Sequence, residues 1–225
     1  MIIRPSAERG RSQLSWLNSQ HSFSFGHYYD PHHQGFSHLL VINDDQVAPG
    51  GGFAQHGHRD MEIISYVRSG TLAHRDSLGT EEHIRAGEFQ LMRAGSGIQH
   101  SEFNASQSEP VHFLQIWIKP AQRGLPPSYQ QRAFPRQDGL QAIATPDGAD
   151  GTLQIAQDAT LYRWQGERLD YQPQGGRWLY LHLLEGKLAG EAVALRAGDG
   201  LLICECEALH LQGQGEALLF DLPAE

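Results

Sequence analysis

His56-Gly57-His58 and His100-Ser101-Glu102 each carry two metal-ligating side chains spaced two residues apart. In an extended strand successive side chains alternate faces, so both members of each pair project the same way. Two such strands brought together would gather three imidazoles and a carboxylate around one point. With no thiolate among them, these donors suit Fe, Mn, Co, Ni, Cu or Zn at a reactive centre better than a closed structural zinc, which usually draws on cysteine. An ion preferring six ligands keeps two positions free, one for O2 and one for an ionised substrate oxygen. Glu62, four residues past His58, is a second carboxylate, and spacing alone does not separate it from Glu102.

With 13 histidines in 225 residues, one His-x-His pair carries little weight alone. The two pairs together carry more, because each follows a glycine-rich turn, Pro49-Gly50-Gly51-Gly52 and Ala94-Gly95-Ser96-Gly97. Phe53 precedes the first pair, and Gln90 and Met92 share a face of the run leading to the second, so these three are expected to line the pocket.

The elements that position these residues read as strands. Short β-rich runs, Ser37 to Val41, Glu62 to Val67, Thr71 to Arg75 and Glu88 to Arg93, are separated by turn residues such as Asn43-Asp44-Asp45 and Arg68-Ser69-Gly70. This predicts an all-β chain of barrels or sandwiches with a few short helices, one near Pro127 to Arg132 and one at the N-terminus. A weak repeat lays Val67 to Ala73 over Leu183 to Ala189; on that register His56 and His58 fall on Gln172 and Gln174. Two copies of one barrel are therefore expected, residues 1–135 with the metal site and 136–225 without it. A one-residue shift brings His210 opposite His100, where it is expected to be structural. His74 and Asp76 alternate on a strand, and His74 is expected to be an ordinary hydrogen-bonded histidine. His27, His32, His33 and His38 lack strand spacing toward a partner and read as loop residues.

Composition bounds the function. The 17 basic and 26 acidic residues give −9 at neutral pH, with no basic run to track a phosphate backbone, which argues against direct nucleic-acid binding. No apolar stretch reaches the ~18 residues of a membrane helix, and Met1 to Pro5 lacks the apolar core of an export signal, so a cytoplasmic location is expected. Cys204 and Cys206 form no disulfide framework and are expected to be small buried hydrophobes.

The stretches His21-Ser22-Phe23-Ser24-Phe25, Tyr29-Asp30-Pro31, His56 to Glu62, Gly87 to Met92 and Gly95 to Glu102 resemble the pirin family of the bicupin superfamily. Gln115-Ile116-Trp117-Ile118 and Leu218 to Pro223 are most similar to the bacterial pirin-like proteins described as quercetin 2,3-dioxygenases. The resemblance implies two tandem cupin domains, each a jelly-roll β-barrel. It also implies one divalent metal, Fe(II) foremost, on His56, His58, His100 and Glu102. Glu62 then becomes a hydrogen-bond partner of a ligand histidine. It further implies cleavage of a flavonol, a small enolisable aromatic, by O2 with release of carbon monoxide, and Glu102 is the base placed to take the substrate proton. The competing implication is a redox-responsive regulator that binds a protein partner. A monomer is expected.

Overall fold

The computed structural model describes residues 1–224. In chain order the strands are β1 (Ile2–Arg4), β2 (Gly10–Gln13), β3 (Leu17–His21), β4 (Leu39–Val47), β5 (Gly52–His58), β6 (Glu62–Ser69), β7 (Thr71–Asp76), β8 (Glu81–Arg85), β9 (Glu88–Arg93), β10 (Ile98–Asn104), β11 (Val111–Ile118) and β12 (Ser128–Ala133). They continue as β13 (Gly139–Thr145), β14 (Leu153–Gln154), β15 (Thr160–Tyr171), β16 (Arg177–Gly190), β17 (Val193–Arg196), β18 (Gly200–Ile203) and β19 (Leu209–Pro223). The first barrel packs the sheet β12-β9-β6-β11-β4-β3-β2 against the sheet β5-β10-β7-β8; the second is built on β18-β16-β19-β15-β13-β14 with β17 beside β16. The chain is all-β, two cupin barrels in tandem.

Strand alternation builds two cores at once. On β6, Ile63, Ser65 and Val67 point into the first barrel, whereas Ile64 and Tyr66 point at the second. Ile64, Tyr66, Phe89, Leu91 and Leu114 thus merge with Ile143, Leu161, Tyr180, Leu218 and Phe220 into one buried apolar cluster joining the barrels. Each such side chain contributes about 1.5–3 kcal/mol of burial energy, and the Tyr66 and Phe89 rings stack at 4.1 Å.

The two barrel interiors differ. The second is filled by Leu169, Leu181, Leu188, Leu195, Leu201, Leu211 and their neighbours, an apolar cluster. The positions matched to the first histidine pair, Gln172 and Gln174, are exposed, and His210 is spent on a 2.7 Å hydrogen bond to Asp170 at the surface. The first barrel is apolar at its two ends, with Val47, Val67 and Phe113 at one and Ile63, Met92 and Ile98 at the other. Between them on the same strand faces sit Ser65, Gln90, Glu102 and Gln115.

Several expectations are corrected. The strand β1 belongs to the second barrel, where it pairs antiparallel with β18 and covers that strand's free edge. The expected helix near residues 127–132 is strand β12, which continues the sheet outside β9. Among the described residues helix is confined to two single 3-10 turns, Ser6–Glu8 and Ala149–Gly151. Asn43-Asp44-Asp45 is not a turn. The strand β4 runs straight through it, because Asn43 bonds His21, Asp44 bonds His112 and Asp45 points inside. Finally, Cys204 is exposed and Cys206 half-buried, because β18 ends at Ile203 and the chain leaves the core there.

Candidate metal centre

The first histidine pair ends β5, whose antiparallel register with β10 sets His56 directly opposite His100. Strand β5 approaches β10 so closely at Gly52 that an added Cβ would lie 2.4 Å from the Glu102 carbonyl oxygen. The register shifts between His100 and Glu102, so that Glu102 is opposite Phe53. That irregularity tucks Ala54 beneath His56, whose Nδ1–H donates to the Ala54 carbonyl at 2.8 Å. With its proton held there, His56 presents a bare Nε2. The His100 Nε2 lies 3.1 Å from it, and the His58 ring stands 4.8 and 4.9 Å from the other two ring centres.

The donor atoms of His56, His58 and His100 lie within 4.8 Å of one another. Burial and the neighbouring rings keep two of them from protonating: the His58 pKa is lowered to about 4 by burial and by His100 and His56, and that of His100 to about 3 by burial and by His56 and His74. Both are therefore neutral, as ligation requires, at any pH near 7.

Glu102 is buried on the floor of the same site, 1% exposed. The Ser65 hydroxyl donates to its Oε1 at 3.2 Å and the Gln115 amide to its Oε2 at 2.7 Å. Gln115 is itself held by the Trp117 indole N–H at 3.3 Å, and the Trp117 ring meets His58 edge-on at 4.9 Å. His74 joins from behind. Donor atoms of His74, His100 and Glu102 also fall within 4.8 Å of one another, and the His74 Nε2–H donates to Asp76 at 3.0 Å. Burial alone would raise the Asp76 carboxyl, but the hydrogen bonds from His74 and from the Thr80 and Leu78 N–H groups outweigh it and hold Asp76 low.

Above the histidines opens a cavity of about 470 Å³. Its walls are aromatic: Trp16 packs edge-on against Phe53 at 5.2 Å and Phe25 against Trp117 at 5.4 Å. Ser19, His21, Asn43 and Asp45, from the opposite sheet, add a polar wall.

The other expected residues fall into place as follows. Phe53 lines the cavity. Glu62 does not reach a histidine: the turn at Asp60, held in the left-handed region at φ 50°, separates β5 from β6 and sends Glu62 toward the second barrel. There it accepts bonds from Arg93 Nε at 2.9 Å and the Ala156 N–H at 3.2 Å. Burial raises its carboxyl and Arg93 opposes the shift. Met92 and Gln90 are buried below the cavity rather than lining it; Met92 packs with Ile63 and Ile98, and both amide atoms of Gln90 lack a partner. Ser65, Gln115, Trp117 and Asp45 went unrecognised as site residues, although Ser65 and Gln115 each interrupt an apolar alternation, the one local signal of a polar layer inside a barrel.

The sequence profile of the family described as Pirin matches residues 3–118. The chain belongs to the pirin family. The pirin match is completed by the profile described as Quercetinase C-terminal cupin domain, over residues 142–222. A protein of Escherichia coli strain K12 named quercetin 2,3-dioxygenase is 45% identical over 228 residues, covering 99% of each chain. The crystal structure of YhhW from Escherichia coli superimposes with a TM-score of 0.97 at 44% identity, covering 100% of this chain and 98% of that one. A structure of the bacterial pirin YhhW in complex with nickel(II) gives 0.96 at 44% identity, covering 100% of this pirin and 99% of the other chain.

Proposed function

We propose that this pirin is a metal-dependent dioxygenase that opens the heterocycle of a flavonol such as quercetin, with His56, His58, His100 and Glu102 holding one divalent ion. The observation that carries this reading is the aromatic-walled cavity, lined also by His56, His58 and the buried Glu102, beside a cluster of three imidazoles. A sealed metal would have favoured a regulatory protein; a ligand-sized, partly apolar pocket at the metal favours catalysis.

The residues fit such an ion. The Nε2 atoms of His56 and His100, 3.1 Å apart, are close enough that both would hold the same ion. Three nitrogens and one carboxylate accept Fe(II), the metal we assign, and Ni(II) equally by donor type. The nickel complex of YhhW supports a divalent metal in the family.

When bound, the ion supplies Lewis acidity toward the substrate hydroxyl and an electron path to O2. The chain supplies the rest. Trp16, Phe25, Phe53 and Trp117 sandwich a planar ring system and exclude water from it. Glu102, fixed by Ser65 and Gln115, is the base that takes the proton of the substrate 3-hydroxyl. The overall change balances as flavonol plus O2 giving a ring-opened ester plus carbon monoxide.

The test is to load the metal-free protein with Fe(II), Mn(II), Co(II), Ni(II) or Cu(II) and follow quercetin absorbance under air and under nitrogen. The reading requires metal-dependent loss under air alone. Equal loss under nitrogen, or none with any ion at full occupancy, contradicts it.

A further inference from the structure

We propose that Asp45 is a substrate-binding residue, its carboxyl group holding a ring hydroxyl of the aromatic substrate at the wall opposite the histidines. This rests on the dioxygenase reading for the kind of ligand, and on separate observations for the residue. Asp45 lies on β4, in the sheet that faces the one carrying His56 and His100. It is 2% exposed, it lines the cavity, and its Oδ1 has no hydrogen-bond partner.

A buried carboxyl without a counter-charge is costly, and proteins keep one where it does something. Among the described residues no cation compensates it. On β3 it is opposite Ser19 in the register, and His21, which shares its cavity wall, has its nitrogens taken up by Asn43 at 2.7 Å and Ser12 at 2.8 Å. From β11 its neighbour is Phe113. On its own strand Asp44 is turned away to His112 and Arg9. From β10 the nearest charge is Glu102, of the same sign. Burial first, with Asp44 and Glu102 adding repulsion, pushes the Asp45 carboxyl up to about 7. Near neutral pH it therefore offers both an O–H donor and an acceptor oxygen, and either form pairs with a phenolic hydroxyl. No step assigned to Glu102 uses it, and the residue lines the cavity that a ring substituent would enter.

The experiment compares quercetin with 3-hydroxyflavone, whose single hydroxyl is the one aimed at the metal. Binding to the metal-loaded protein is measured without oxygen, through quenching of Trp16 and Trp117 in the cavity wall. Asp45→Leu weakens quercetin binding about tenfold, the value of one buried hydrogen bond, and leaves 3-hydroxyflavone within about twofold. Asp45→Asn, which keeps a donor and an acceptor, restores most of the loss. Equal effects on both ligands, or none on quercetin, overturn the proposal. Should Asp45→Leu not fold, flavonols lacking one ring hydroxyl at a time are bound to the wild type, and the absence of any tenfold loss overturns it equally. Oxygen added to the same samples tests the parent reading separately: a wild type that binds quercetin through Asp45 and never oxidises it removes the dioxygenase and leaves the binding residue.

Discussion

His56 and His100 face each other across the β5–β10 register with their Nε2 atoms 3.1 Å apart, and the Ala54 carbonyl fixes the tautomer of His56 from the other side. Two nitrogens at that separation and a carboxylate beneath them form a site whose parts are set by backbone pairing rather than by flexible loops. Such a site is preorganised, and its neighbours can be perturbed one at a time.

Gln115→Leu removes the donor to Glu102 Oε2 and the acceptor of the Trp117 indole together. Metal affinity, measured by competition with a chelator, falls about 10- to 100-fold, the usual loss when a buried partner of a ligand is removed. The fold, followed by circular dichroism, stays intact. Unchanged affinity would mean that Glu102 is oriented by Ser65 alone or takes no part in holding the ion.

The acid side of the stability profile is set in part by the histidines. The folded metal-free protein keeps His58 and His100 neutral down to about 4 and about 3, whereas the unfolded chain protonates histidine near 6.5. The unfolded state thus binds more protons between these limits, and stability present above pH 6.5 is lost as the pH falls through about 4. Melting temperatures of the metal-free His58→Leu variant decline less over pH 6.5 to 4 than those of the wild type. Parallel declines would contradict the assignment.

Asp45 acts in the opposite direction. Its folded-state value near 7 exceeds the ordinary 3.8, so stability present below pH 3.8 is lost as the pH rises through 7. Asp45→Asn removes that cost and stabilises the protein more at pH 8 than at pH 5. Thermal melts at the two pH values decide it. A variant less stable at pH 8 would place a compensating partner on this carboxyl.

Phe89 sits in the shared core, stacked on Tyr66 and edge-on to Phe134 at 5.7 Å. Phe89→Ala costs about 3–5 kcal/mol. Because the cluster draws on both barrels, denaturation remains a single transition; two separated transitions would show that the barrels unfold independently.

Much of this was legible in the chain. The period of two at His56/His58 and His100/Glu102 is a local property, and local properties survive into the fold. The replacement of the first histidine pair by Gln172 and Gln174 on the repeat register is local in the same sense. What failed depended on partners distant in sequence. Glu62 looked like a neighbour of His58, but the left-handed Asp60 turn delivers it to Arg93 and Ala156. Asn43-Asp44-Asp45 had the composition of a turn and became strand because His21, His112 and the barrel interior absorb its three polar side chains. Residues 127–132 became strand because β9 had an open edge. Edge pairing and buried polar satisfaction are tertiary facts, and no window of sequence carries them.

The central claim is tested most directly by the gas the reaction must release. Protein reconstituted with Fe(II) without oxygen is given quercetin and then O2, and carbon monoxide in the headspace is measured against flavonol consumed. The account predicts one carbon monoxide per flavonol, and none with His58→Ala. Flavonol loss without carbon monoxide, or carbon monoxide formed equally by His58→Ala, would contradict it.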